Sequence, residues 1–143
     1  MGVINMKKIL IIEDDESIRK ELEELLSNAG YVALTLDGTT NMLDDILSIH
    51  PDLILLDINI PYMNGEVLLK NLRKVSNIPV IMVTSKNTEI DEVLSMSYGA
   101  DDYITKPYNP TILLLRIGAV LKRGEKNITD VILYHDLSIE IKK

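Results

Sequence analysis

The sequence runs to 143 residues, enough for one domain and a short extension. Hydrophobic residues make up 46% of it, yet it has no Phe and no Trp, so aliphatic side chains must fill the core. A formal charge of −7 makes this stretch a poor polyanion ligand, and the absence of Cys excludes a disulfide scaffold, a thiolate metal site and a cysteine nucleophile.

No apolar run approaches the roughly 20 residues of a membrane span, and the N-terminus has no signal-peptide layout. A soluble, cytoplasmic protein without a membrane partner is expected. Met6-Lys7-Lys8 reads as a second start, so residues 1–6 are set aside as an N-terminal overhang.

Ile9-Leu10-Ile11-Ile12 is a fully apolar run that ends abruptly in acid, as a buried parallel strand does. Ile18, Leu22, Leu25, Leu26 and Ala29 then recur at helical spacing, and Gly30 supplies the stop. Tyr31 to Thr35 reads as a second strand. A weaker helix carries Leu43, Ile46 and Leu47 and ends at His50-Pro51. Leu53-Ile54-Leu55-Leu56 is a third strand, closing on Asp57. Pro61 to Gly65 reads as a turn, and Val67, Leu68, Leu72 and Val75 mark a third helix. Pro79 to Val83 is a fourth strand that ends at Thr84. Ile90, Val93, Leu94 and Met96 mark a fourth helix stopped by Gly99. Tyr103-Ile104 forms a short fifth strand before Lys106-Pro107. Asn109 then offers an N-cap with Pro110 at the first helical position of a last helix, which runs to about Arg123.

Five βα units with right-handed crossovers give an α/β fold: a doubly wound, five-stranded parallel sheet with helices on both faces. Ligands of such sheets bind beyond the carboxyl ends of the strands. After Gly124 the pattern breaks. Leu137, Ile139 and Ile141 alternate with Ser138, Glu140 and Lys142, which reads as a strand with no place in the completed domain.

Four strand ends carry reactive or charged groups: Glu13-Asp14, Asp57, Thr84-Ser85 and Lys106. Neighbouring carboxylates raise one another's pKa unless a cation neutralises them. A hard divalent ion answers this, and Mg2+ fits best because it binds through few carboxylates and keeps several waters. Asp57 is then a candidate nucleophile, since carboxylates form acyl phosphates. Lys106 would neutralise charge on phosphoryl oxygens, and the Thr84 hydroxyl could add a hydrogen bond. Positioning and charge neutralisation are most of what phosphoryl transfer needs. Taken singly, the acids could be solvated caps, Lys106 a surface charge and Thr84 a turn residue. It is their joint placement, each group on its own strand end, that favours the site. His50 and His135 have no ligand-spaced partner and read as ordinary surface or loop residues.

Ile11-Ile12-Glu13-Asp14-Asp15-Glu16, Leu55-Leu56-Asp57-Ile58-Asn59-Ile60-Pro61, Val83-Thr84-Ser85 and Gly99-Ala100-Asp101-Asp102-Tyr103-Ile104-Thr105-Lys106-Pro107 resemble the receiver domain of bacterial two-component response regulators. The last run and the final helix resemble the OmpR/PhoB class in particular. The resemblance covers about residues 7–123 and implies the flavodoxin-like receiver fold. It implies phosphorylation on Asp57 by a cognate sensor histidine kinase, with Mg2+ held by Glu13, Asp14, Asp57 and the backbone carbonyl of Asn59. It further implies phosphate binding by Thr84, Ser85 and Lys106, and a switch pair of Thr84 and Tyr103. Such a domain catalyses only its own phosphorylation and dephosphorylation. The segment Ile132 to Ile141 is similar to the opening strands of that class's winged-helix domain, so residues 124–143 are expected to be a linker and the start of a DNA-binding effector; DNA would be met only through that effector.

Receivers of this class pair through the fourth helix, fifth strand and fifth helix. Asp101 and Arg116 match the salt-bridging set, but Ile112 stands where an acid is expected, Gly118 where a base is, and Glu92 where Arg is frequent. Leu113, Leu114, Ile117, Val120 and Leu121 form a core stripe, which leaves Ile112, Leu115 and Ala119 on another face. A homodimer formed on phosphorylation and held more by apolar contact than by charge is expected, beside the plainer reading that these residues pack on the tail or are simply exposed. Three rivals remain. A haloacid-dehalogenase-type phosphatase would carry its nucleophile on the first strand with a second acid two residues on, whereas position 59 is Asn. A nucleotide or flavin module would need a glycine-rich loop where acids stand. A stand-alone or degenerate receiver, serving only as an interaction module, would not need the complete acid, hydroxyl and lysine set.

Overall fold

The computed structural model describes residues 6–37, 42–60, 64–86 and 88–123. The expected tail strand and effector start, His135, most of the overhang and the Pro61 turn lie outside the described residues. The strands are β1 (Lys8–Ile12), β2 (Val32–Leu36), β3 (Leu53–Leu56), β4 (Val80–Thr84) and β5 (Asp102–Thr105). Between them run α1 (Glu16–Asn28), α2 (Leu43–Ile49), α3 (Gly65–Arg73) and α4 (Glu89–Ser97), and a last helix, α5, spans 110–123. All pairings are parallel, in the order β2-β1-β3-β4-β5. That order makes β1 and β3 central neighbours, with β4 and β5 following on one side. The ends bearing Glu13, Asp57, Thr84 and Lys106 therefore fall along one edge.

Alternation along the strands fills two cores. Leu10, Ile12, Ile54, Leu56, Val80 and Met82 point to the face covered by α2 and α3, where Tyr103 also lies. Ile9, Ile11, Leu53, Leu55, Ile81 and Val83 point to the other, against Leu22 and Leu26 of α1 and Leu113, Ile117 and Val120 of α5. With both faces covered, the strands read as continuous aliphatic runs.

The caps follow local chemistry. Asp15 accepts the Ile18 N–H (3.0 Å), Asn64 that of Glu66 (2.7 Å) and Thr88 that of Asp91 (3.1 Å). Asn109 accepts from Thr111 (2.8 Å) and Ile112 (3.3 Å), as its sequence position predicts. Gly30 adopts φ +95° past α1, and His50 turns left-handed to end α2 before Pro51.

Two expectations need correction. The second strand begins at Val32, not Tyr31. On α3 it is Leu68, Leu69 and Leu72 that are buried, whereas Val67 is exposed and Val75 lies exposed beyond the helix. The fourth helix is present where the spacing places it, with Ile90, Val93, Leu94 and Met96 all facing outward and Ser95 as the buried residue. A small residue lets α4 sit close to its neighbour, and Ser95 donates to Glu66 of α3 (3.3 Å). Among the described residues no helix is long and apolar enough to cross a membrane.

Candidate functional site

β1 and β3 stop together, in register from Ile9–Leu53 to Ile12–Leu56, so the acids that follow them are neighbours. Carboxylate oxygens of Glu13, Asp14 and Asp57 all lie within 4.8 Å of one another. Glu13 and Asp57 are buried, and Asp14 is exposed at the mouth. From the far side β5 delivers Lys106, whose Nζ donates to Glu13 Oε1 (2.6 Å) and Asp57 Oδ2 (3.0 Å). The other Asp57 oxygen accepts the Asn59 N–H at 3.1 Å. The peptide bond from Lys106 to Pro107 is cis.

Burial pushes the Glu13 carboxyl above its ordinary range, and the bonds from Lys106 and from the Asp15 N–H only partly offset that. Burial pulls the Lys106 ammonium down, but its bonds to Glu13 and Asp57 outweigh this and leave it raised and charged. Three carboxylates facing one ammonium leave the edge short of positive charge. The donors are all oxygen, and one acid opens to water. This set fits Mg2+, as the sequence predicts.

Gly65 explains how Asp57 is held. It opens α3, and its N–H donates to the Ile58 carbonyl at 2.7 Å. A Cβ there would run into the Asp57 carbonyl oxygen and come within 2.8 Å of Ile58 Cα. From the sequence Gly65 reads as a turn residue. The better signal was a glycine just after a capping Asn, where the helix itself has no use for one.

Thr84 is fully buried, and its hydroxyl accepts the Lys86 N–H at 3.3 Å. Ser85 is exposed and, with Lys106, lines a groove of about 820 Å3 between α1 and the residues after β5, where Ile18, Glu21, Leu25 and Tyr108 also sit. Tyr103 is buried below the edge, and its hydroxyl donates to the Lys86 carbonyl at 2.6 Å. Burial first, then Asp91, Glu66, Glu92 and Asp57, push its phenol up to about 12.

The expected interface residues divide. Ile112, Leu115 and Ala119 are exposed. Arg116 Nη1 donates to Asp102 Oδ1 at 2.9 Å. Asp101 Oδ2 accepts from the Val80 N–H (2.9 Å) and Arg73 (3.3 Å), which braces β4 against α3 while the side chain stays partly exposed. No motif points to Arg73, which also donates to the carbonyls of Gly99 (3.0 Å) and Ser76 (3.4 Å), or to Arg19 beside the acids.

A parallel α/β sheet with clustered acids and a bonded lysine at its carboxyl edge defines a class, the phosphoacceptor switch domains that act on their own aspartate. Residues 9–118 match the family model described as the response regulator receiver domain, and the chain belongs to that family. Its receiver is of the OmpR/PhoB type. The sensory transduction protein RegX3 of Mycolicibacterium smegmatis is 43% identical over 122 residues, which are 85% of this chain and 54% of that protein. The transcriptional regulatory protein AfsQ1 of Streptomyces coelicolor is 37% identical over 135 residues, 94% of this chain and 60% of its own length. The chain thus spans little more than half the length of the curated relatives it matches. A CheY-like receiver domain protein from Methanospirillum hungatei superposes with a TM-score of 0.81 at 35% identity, covering 86% of this chain and 99% of that one. Membership removes the phosphatase and nucleotide-module readings.

Proposed function

We propose that Asp57 takes a phosphoryl group from the phosphohistidine of a cognate sensor histidine kinase, and that the whole protein is a transcriptional regulator. What carries this reading is the Lys106 ammonium bonded at once to Glu13 and Asp57. An Asp57 oxygen bonds to phosphorus as the phosphorus–nitrogen bond to the imidazole breaks. Lys106 neutralises the phosphoryl oxygens, and Thr84 and Ser85 contact them. Glu13, Asp14, Asp57 and the Asn59 carbonyl would hold Mg2+, which when bound supplies further positive charge to those oxygens. Position 59 offers no carboxylate to activate water, which disfavours rapid turnover of outside substrates.

The switch reading rests on Lys86. Thr84 holds its N–H and Tyr103 holds its carbonyl. Drawing the Thr84 hydroxyl toward a phosphoryl oxygen would release one of these two bonds and bias the other, so Tyr103 and the start of α4 respond together. The face that follows carries Ile112, Leu115 and Ala119, with Arg116 at its side, and would pair two receivers. The effector would be a winged-helix domain that alone meets DNA, in keeping with the name of AfsQ1 and with the pattern of residues 132–141.

Incubation with acetyl phosphate and Mg2+, followed by intact mass, tests the phosphoacceptor. One phosphate mass should be added, and it should be lost in Asp57→Ala or with chelator. Equal yield from Asp57→Ala overturns the assignment.

A further inference from the structure

Consecutive residues of an extended strand point to opposite faces of the sheet. Glu13 and Asp14 are consecutive, yet their carboxylates share one cluster with Asp57. The chain must therefore leave the strand geometry right after Ile12, where β1 ends, and be held in a turn. Capping holds the far side of that turn: Asp15 receives the Ile18 N–H, and the Asp15 N–H donates to Glu13 Oε2 at 3.1 Å. The near side is held by a residue with no assigned role. Arg19, half-buried on α1, donates from Nη1 to the Glu13 carbonyl (2.8 Å) and the Asp14 carbonyl (3.3 Å). Its own N–H bonds to the Asp15 carbonyl at 2.9 Å, so the side chain springs from the helix that the same turn begins. One guanidinium nitrogen accepted by two successive carbonyls requires both to lie on the same side of the backbone, which an extended strand forbids.

We propose that Arg19 is a positioning residue for the metal site: it clasps the two carbonyls and so aims both acidic side chains at one cation. The proposal rests on the reading of Glu13, Asp14 and Asp57 as that site. The alternative role is electrostatic, with the guanidinium merely offsetting the acids. The two roles differ in sign. A positive charge near a cation site opposes the ion, so a purely electrostatic Arg19 weakens divalent binding and its loss tightens it. A clasp does the reverse.

Mn2+ and Mg2+ affinity of the whole chain should be measured by calorimetry, without a phosphodonor, for wild type, Arg19→Met and Arg19→Lys. Arg19→Met keeps the stem and drops the donors; its Kd should rise about tenfold, and its Mg2+ requirement with acetyl phosphate should rise in parallel, while the rate at saturating Mg2+ changes less. Arg19→Lys keeps the charge and a single-point donor, and should fall between the two. Unchanged or tighter binding by Arg19→Met overturns the clasp. Should Arg19→Met fail to fold, wild-type affinity in Arg19→Lys overturns it and an intermediate affinity supports it. Wild-type protein that binds neither ion defeats the reading of the site itself, an outcome distinct from either.

Discussion

The acid edge and the face of α4 and α5 are built on opposite plans. At the edge, Glu13 and Asp57 are buried, each is bonded on both sides, and backbone packs on backbone at Gly65. On the other face, α4 buries Ser95 alone while Ile90 is 71% and Leu115 68% exposed. Phosphoryl transfer needs groups fixed to a fraction of an ångström, whereas a responding surface needs a small gap between two arrangements. A helix tied down by few contacts costs little to move, and its uncovered apolar side chains give a moved arrangement something to bury.

The plans separate most widely under the same substitution at two glycines. In an open helical site Gly→Ala stabilises by about 1 kcal/mol through backbone entropy. Gly118 on α5 has nothing where a Cβ would go, so Gly118→Ala should raise stability by about 0.5–1 kcal/mol. At Gly65 the same methyl strikes the backbone of Asp57 and Ile58, which cannot swing aside as a flexible side chain could. Overpacking of this kind outweighs the helical gain, and Gly65→Ala should lose about 2–3 kcal/mol and slow phosphorylation of Asp57. Urea denaturation checks both. Equal gains at the two positions would erase the distinction between a rigid edge and an open face.

Tyr103 stands where the two regions meet, and its effect should be smaller. Tyr103→Phe removes the donor to the Lys86 carbonyl and leaves the ring, a loss of about 1 kcal/mol at neutral pH. The phenol ordinarily titrates at 10.0, and here it is pushed up to about 12 by burial and the surrounding acids. The folded state thus keeps a proton that the unfolded chain gives up. The contribution is whole below pH 10 and drains away as pH rises towards about 12. Lys106, also raised from 10.5, loses its share over the same alkaline range in both proteins. The difference between wild type and Tyr103→Phe should therefore shrink with rising pH, and stability measured from pH 7 to 11 reads it. A constant difference would mean that the phenol is not held neutral by the fold.

How much of this was legible in the sequence depended on the kind of signal. Strands buried on both faces announce themselves as aliphatic runs, and the acids that end β1 and β3 could be placed together because parallel strands bring like ends to one edge. Lys106 followed in the same way. Position along the chain does not reveal what a side chain covers, so apolar spacing on α4 gave the right helix while its apolar residues turned out to face solvent. Asp101 has the right residue type for an interface, but residue type does not reveal that it also bonds Val80 and Arg73 within its own chain. The roles of Arg19 and Gly65 are not legible because both act on main-chain atoms, carbonyls in one case and a close approach in the other, which side-chain patterns do not encode.

The smallest expected effect on stability is the most telling for the exposed face. Leu115 is 68% exposed, so Leu115→Ser removes little buried area and should leave urea stability within about 0.5 kcal/mol of wild type. If Ile112, Leu115 and Ala119 pair two phosphorylated receivers, the same change should abolish association. The dimer's own chemistry follows from what the face lacks. Arg116 is already bonded to Asp102 within its own chain, Ile112 and Gly118 bring no charge, and Glu92 adds only a negative one. With few ion pairs to screen, the association of wild type should weaken only slightly between low and moderate salt. Sedimentation of the beryllofluoride-activated protein, with and without added salt, reads both properties. An activated wild type that remains monomeric at high concentration would remove the dimer. One that dissociates in moderate salt would mean that charge holds it, and Leu115→Ser would then pair as well as wild type.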